Sequence, residues 1–229
     1  MICFVTAMEK EASYLIEAIE IIEEEKCGYG RIISASYKGV DFLILISGIG
    51  KVLSAAALTD AIMNYPDISC IINIGVGGSL QPDLIGVFDV VISRDCVQHD
   101  LDTSAIGDPV GFVSGICKIY FESNQDLNND LAEVCRSLGL NYTISTVTTG
   151  DRFIVDKDEK RKLVETFDSA SCDMESAAYA TVADIYNIPF TSLRLISDAG
   201  GDGNEYENNL DECCLILSKI IREFIFRKK

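Results

Sequence analysis

The sequence carries a single histidine, no Cys-x-x-Cys pair, and no apolar run approaching the roughly eighteen residues that a membrane span needs. With only His99, a histidine-rich metal site is excluded, and a Ser-His-Asp triad would have to use that one residue. Without a Cys-x-x-Cys pair, zinc ribbons and thioredoxin-like redox sites lose their usual ligands. Basic residues are scarce as well, 19 Lys and Arg against 36 Asp and Glu, for a net charge of −17. A phosphate backbone attracts basic surfaces, so this balance argues against nucleic acid as a partner. The N-terminus has no basic region and only a short apolar run at residues 2–5, which does not read as a signal peptide. The expectation is a cytoplasmic protein with no membrane partner.

The nine cysteines are an odd number without framework-like spacing, and Cys3 and Cys70 lie inside apolar runs where a thiol acts as a small hydrophobe. A reducing compartment fits them. At 229 residues, 48% apolar and 24% charged, the chain has the size and composition of a single α/β domain spanning 1–229. Short β-rich apolar runs occur at 2–6, 32–37, 42–46, 68–74, 88–92, 142–147 and 190–196. Between them, 52–65 reads as a helix that stops where Pro66 forbids continuation, and the alanine-rich segment 175–186 ends ahead of Pro189. Apolar residues at 213, 214, 217, 220, 221 and 224 follow the 3.6 period of a helix with one core-facing stripe. Strands interleaved with helices imply a largely parallel sheet covered on both faces, a three-layer αβα domain.

In such sheets ligands bind beyond the carboxyl ends of the strands. The residues just past each apolar run are therefore informative. After the first comes Ala7-Met8-Glu9-Lys10-Glu11, after 68–74 comes Gly75-Val76-Gly77-Gly78-Ser79, and after 190–196 comes Ser197-Asp198-Ala199. A short run near 171–173 leads into Met174-Glu175-Ser176. Four strand ends thus offer carboxylates and a flexible glycine turn to one rim, which suits a small polar ligand carrying a sugar. Taken singly, each feature has an ordinary explanation. Glu11 and Glu175 suit the first turn of a helix, Ser197 and Asp198 suit an N-cap, and clustered glycines usually mark a turn. Several other chemistries are excluded by spacing. The run Ser47-Gly48-Ile49-Gly50-Lys51 lacks the spacer and final Ser/Thr of a P-loop, and Gly75-Val76-Gly77-Gly78 does not complete G-x-G-x-x-G. Residues 198–212 fail the ligand spacing of an EF-hand.

Seven stretches, in order and spanning nearly the whole chain, resemble the 5′-methylthioadenosine/S-adenosylhomocysteine nucleosidase branch of the nucleoside phosphorylase superfamily. They are 7–11, 47–51, 73–80, His99-Asp100-Leu101-Asp102, Gly150-Asp151-Arg152-Phe153-Ile154, Asp173-Met174-Glu175, and Arg194-Leu195-Ile196-Ser197-Asp198. The resemblance implies a nucleoside phosphorylase-like α/β fold with a central twisted mixed sheet. It also implies a purine nucleoside as substrate, no cofactor or metal, and a homodimer. Glu11 then matches the acid that activates water, Glu175 the carboxylate that grips the ribose hydroxyls, and Asp198 the acid that protonates adenine N7. Ser197 and Arg194 flank Asp198. Phe153 matches the aromatic that stacks on the base, Ile154 the backbone that reads its edge, and Val76 and Gly77 belong to the glycine-rich stretch beside it. Met8, Ile49, Met174 and Leu210 are expected to wall the pocket for the 5′ substituent, with Thr103 and Ile106 arriving from the second subunit.

Several positions depart from the family pattern. Val76 stands where serine is common, Thr103 and Ile106 replace larger caps, Leu210 replaces a phenylalanine, and the acidic loop 200–209 differs. Three rivals stay open: a phosphorylase of the same fold, a hydrolase of another purine nucleoside, and a non-catalytic nucleoside-binding protein. Against the first, neither 7–11 nor 73–79 supplies an arginine for phosphate, and Glu11 would repel the anion.

Overall fold

The computed structural model describes residues 1–199 and 203–229. Its elements run β1 (Ile2–Thr6), α1 (Glu9–Ile16), β2 (Glu20–Cys27), β3 (Gly30–Tyr37), β4 (Val40–Ile46), α2 (Lys51–Asn64), β5 (Cys70–Ser79) and β6 (Val90–Gln98). They continue as β7 (Phe121–Glu122), α3 (Gln125–Leu138), β8 (Tyr142–Thr149), α4 (Lys157–Phe167), β9 (Ser169–Asp173), α5 (Ser176–Ile185), β10 (Phe190–Asp198) and α6 (Gly203–Arg227). Local chemistry sets many of the boundaries. The Asn124 and Asp156 side chains accept from the backbone N–H of Leu127 and Glu159, capping α3 and α4. Gly139, in the left-handed region at φ 69°, ends α3.

The ten strands of the described residues join one sheet, in the order β10, β6, β8, β9, β5, β1, β4, β3, β2, with β7 beside β6. The sheet is mixed: β1 runs parallel to β4 and β5, while β2, β3 and β4 form an antiparallel meander. β10 pairs back along β5, so β5, β10, β6, β8 and β9 close on themselves, and β1, β4, β3 and β2 extend from β5 as an open wing. Alternate residues divide the core in two. Phe4 and Ile72 pack with Leu15, Leu131, Leu217 and Phe224, beneath α1, α3 and α6. Cys3, Val5 and Ile71 pack with Leu58, Ala61, Tyr179 and Ala183, beneath α2 and α5. This is the three-layer α/β arrangement expected.

Two local expectations change. Residues 75–79 are not a turn but the second half of β5, pairing with β10 and β9. Their glycines serve close approach instead: a Cβ on Gly75 would collide with Arg194 Nη1 and lie 2.6 Å from Glu11 Oε1. The acidic segment 200–209 is not a loop beyond residue 202. From Gly203 it forms the first turns of α6, and residues 200–202 lie outside those described. All nine cysteines are free thiols. Among the described residues no helix is long and apolar enough to cross a membrane.

Candidate active site

The floor of the site is a buried ion pair. Arg194, on β10, is fully enclosed, with Nε 2.7 Å from Asp173 Oδ2 at the end of β9. Nε also donates to Ser176 Oγ at 3.0 Å, and Nη2 donates to Asn73 Oδ1. Asp173 additionally accepts from Thr149 Oγ1 at 2.5 Å and from the Ser176 backbone N–H at 3.1 Å. Burial disfavours the guanidinium charge, but Asp173, Glu175 and Glu11 outweigh it and hold Arg194 protonated. Two of its three guanidinium nitrogens are thus engaged by Asp173, Ser176 and Asn73.

Glu11 sits above this floor, on the first turn of α1, and is only 2% exposed. Oε2 accepts from Thr6 Oγ1 at 2.5 Å and from the Met8 N–H at 3.1 Å, while Oε1 accepts from the Val76 N–H at 2.9 Å. An acid placed there only for the helix dipole would stay in water. Glu175 occupies the N-cap position of α5 but makes no capping bond to that helix. Its Oε1 instead accepts from the Gly50 N–H at 2.9 Å, across the chain from the start of α2. Gly50 donates from φ 92°, a conformation that glycine adopts without strain. Burial, then the neighbouring Asp173, push the Glu175 carboxyl above the ordinary carboxylate range.

Asp198 is the last residue of β10 and 1% exposed. Because α6 starts at Gly203, Asp198 is not the residue preceding that helix. Its Oδ1 accepts from Ser197 Oγ at 2.9 Å. Burial raises its pKa, opposed by the Ser197 bond and by Lys160. The three carboxylates line one cavity of about 330 Å³.

Of the residues singled out from sequence, Met8, Glu11, Ile49, Val76, Gly77, Phe153, Ile154, Met174, Glu175, Ser197 and Asp198 all line that cavity. Arg194, Leu210, Thr103 and Ile106 do not. Arg194 lies beneath it, and Leu210 packs on the core around α1 and α6. The place expected for Leu210 belongs to Tyr206, one helical turn earlier, about 6 Å nearer the start of α6. The Tyr206 ring meets Phe153 edge to face, with centroids 5.7 Å apart at 78°, and its hydroxyl donates to Met8 Sδ at 3.6 Å. The wall is therefore partly aromatic, where aliphatic residues were expected. Sequence reasoning also missed Cys172, Asp173 and Arg152 on the lining. Tyr206 had a readable signal, since 206, 210, 213, 214 and 217 share one helical stripe. Thr103 precedes a short turn of 3₁₀ helix at Ser104–Ile106, whose last residue, Ile106, is 82% exposed.

The phosphorylase superfamily profile matches residues 1–225. The chain belongs to the phosphorylase superfamily. Within it, the chain is 30% identical over 226 residues to the aminodeoxyfutalosine nucleosidase of Campylobacter jejuni, covering 99% of this chain and 96% of that one. It is also 30% identical over 229 residues to the 5′-methylthioadenosine/S-adenosylhomocysteine nucleosidase of Staphylococcus aureus, covering 98% and 99%. Among solved structures it superposes on the Helicobacter pylori 5′-methylthioadenosine/S-adenosylhomocysteine nucleosidase with butyl-thio-DADMe-Immucillin-A. The TM-score is 0.92, with 26% identity and coverage of 99% and 97%. The futalosine hydrolase of Helicobacter pylori matches to the same degree. The cavity is rich in acids, since Glu11, Asp173, Glu175, Asp198 and Glu207 all line it. Arg152, at its edge, is paired with Glu159 at 2.7 Å.

Proposed function

We propose that the protein hydrolyses the purine–ribose bond of 5′-methylthioadenosine and S-adenosylhomocysteine, releasing adenine. The observation that carries this reading is the placement of Glu11, buried and held by three donors, in a cavity shared with Glu175 and Asp198. Departure of a purine leaves positive charge on the sugar and negative charge on the base. Carboxylates beside the sugar favour the first, and a proton supplied by Asp198 to N7 neutralises the second. Glu175 accepts from the ribose hydroxyls, and Glu11 takes the proton of the attacking water. Phe153 faces the base, while Met8, Ile49, Met174 and Tyr206 surround the 5′ substituent.

The same residues argue against phosphorolysis. An anion entering beside Glu11 meets like charge, and the buried cation beside Glu11, Arg194, is already committed to Asp173, Ser176 and Asn73. Adenine is therefore expected to appear from methylthioadenosine in phosphate-free buffer. A rate that rises from zero in proportion to added phosphate, with ribose 1-phosphate as product, would overturn the reading.

A second reading, the same bond cleaved in aminodeoxyfutalosine, is favoured by the name of the Campylobacter relative, which is as similar as the staphylococcal one. Adenine release from the two nucleosides measured side by side separates them. The exposed aliphatic side chain of Ile106, with Thr103 beside it, supports a homodimer in which these residues cap the partner's cavity. Sedimentation is expected to give a dimer; a fully active monomer would remove the intersubunit cap.

A further inference from the structure

The inward face of α4 carries Lys160, Leu163 and Phe167, while Lys157, Asp158, Arg161 and Lys162 face solvent. A lysine on a helix ordinarily turns its head to water along its alkyl stem. Lys160 does the opposite. Its ammonium is buried, has no hydrogen-bond partner among the described residues, and lies 4.0 Å from Asp198 Oδ2. The two side chains are 6% and 2% exposed. An ammonium buried without an acceptor is costly, so its charge calls for a purpose other than stability.

We infer that Lys160 is a positioning residue for proton transfer, its ammonium facing Asp198 to stabilise the carboxylate that forms as the base departs. This rests on the reading of Asp198 as the acid. As the glycosidic bond breaks, its electron pair goes to the purine and the Asp198 proton goes to N7. Asp198 is left anionic beside an ammonium that is already in place. Water supplies hydroxide to the sugar and its proton to Glu11, and exchange with solvent then resets both acids.

The other groups around Asp198 act differently. Ser197 donates to it, Glu205 on α6 opposes its ionisation, and Cys172 on β9 and Cys213 and Tyr206 on α6 are neutral neighbours whose burial holds their protons on. Burial keeps the Asp198 proton in place before the reaction, and Lys160 makes it easier to give up. A strong acid that is still protonated when substrate binds needs both.

The test is the pH profile of adenine release by Lys160→Met and Lys160→Arg beside the wild type and Asp198→Asn. Lys160→Met is expected to lower kcat by about tenfold with KM little changed. Removing the cation favours protonated Asp198, so the alkaline limb of the profile moves up by about one to two pH units. Lys160→Arg restores the charge and should recover part of both. Replacing a buried, unpartnered ammonium with an apolar side chain of similar size is expected to leave the thermal midpoint unchanged or raised. Should Lys160→Met fold poorly, Lys160→Gln carries the same measurement. Wild-type kcat and an unmoved limb in a folded neutral variant overturn the inference while leaving Asp198 as the acid. If Asp198→Asn itself keeps the wild-type rate and limb, the acid assignment fails first.

Discussion

Asp198→Asn is expected to slow adenine release by about 10²-fold or more while ligand binding largely survives. The amide has the same shape and fits the same enclosed position beside Ser197, so the cavity keeps its form. What it lacks is a transferable proton. Without one, the departing purine must leave as an anion in a cavity already crowded with carboxylates. The wild-type pH profile carries the same information. Burial raises the Asp198 pKa, so the protonated acid persists above the ordinary carboxylate range, and activity falls as pH rises through the raised value. Asp198→Asn should remove that alkaline limb along with the rate. The measurements are kcat across pH and calorimetric binding of a non-hydrolysed nucleoside analogue. Normal turnover by the variant would reduce Asp198 to a structural residue.

The largest effect on stability is expected at the floor of the site. Arg194→Met removes a fully buried cation and leaves Asp173 without its partner, 2.7 Å away in the native protein. Breaking a buried pair on one side costs about 3–5 kcal/mol, because the surviving charge is left desolvated and unpaired. For a chain of this size each kcal/mol lowers the thermal midpoint by about 2–4 °C, so a drop on the order of 10 °C is expected. Glu11 and Glu175 add to the loss, since both help to hold Arg194 charged. Removing the second charge as well, in Arg194→Met/Asp173→Asn, should recover part of that stability. Thermal and urea unfolding of the two variants checks this. A single variant as stable as the wild type would mean that the pair is not energetically coupled.

That carboxylates follow several strand ends was legible in the sequence because strand ends are local features; the choice of these three came from the resemblance to the nucleosidases. Glu11, Glu175 and Asp198 each come within a few residues of the end of an apolar run, and strands of such a sheet deliver their ends to a shared rim. The edge strand β2 was not legible. Seven of its eight residues are exposed and four are glutamates, so it has no alternation to read, and its charge discourages pairing with another chain. Lys160 was hidden for the opposite reason, as one cation in the run Lys157-Asp158-Glu159-Lys160-Arg161-Lys162, whose composition reads as a solvated face.

The sequence by itself determined the class of fold and the acids that follow its strands, because hydrophobic periodicity and residue type need only near neighbours to act. Only the tertiary structure decided how those acids are held. Position 75 in β5 takes a glycine because Arg194 and Glu11, distant along the chain, occupy the space that a Cβ would need. Tyr206, and not Leu210, reaches the cavity because α6 starts at Gly203 and packs against β10 and α1. Arg194 is held in place because Asp173 and Asn73, from two other strands, accept from its guanidinium. Burial, charge pairing and close approach are properties of residues far apart in the chain, and they exist only once the sheet has closed.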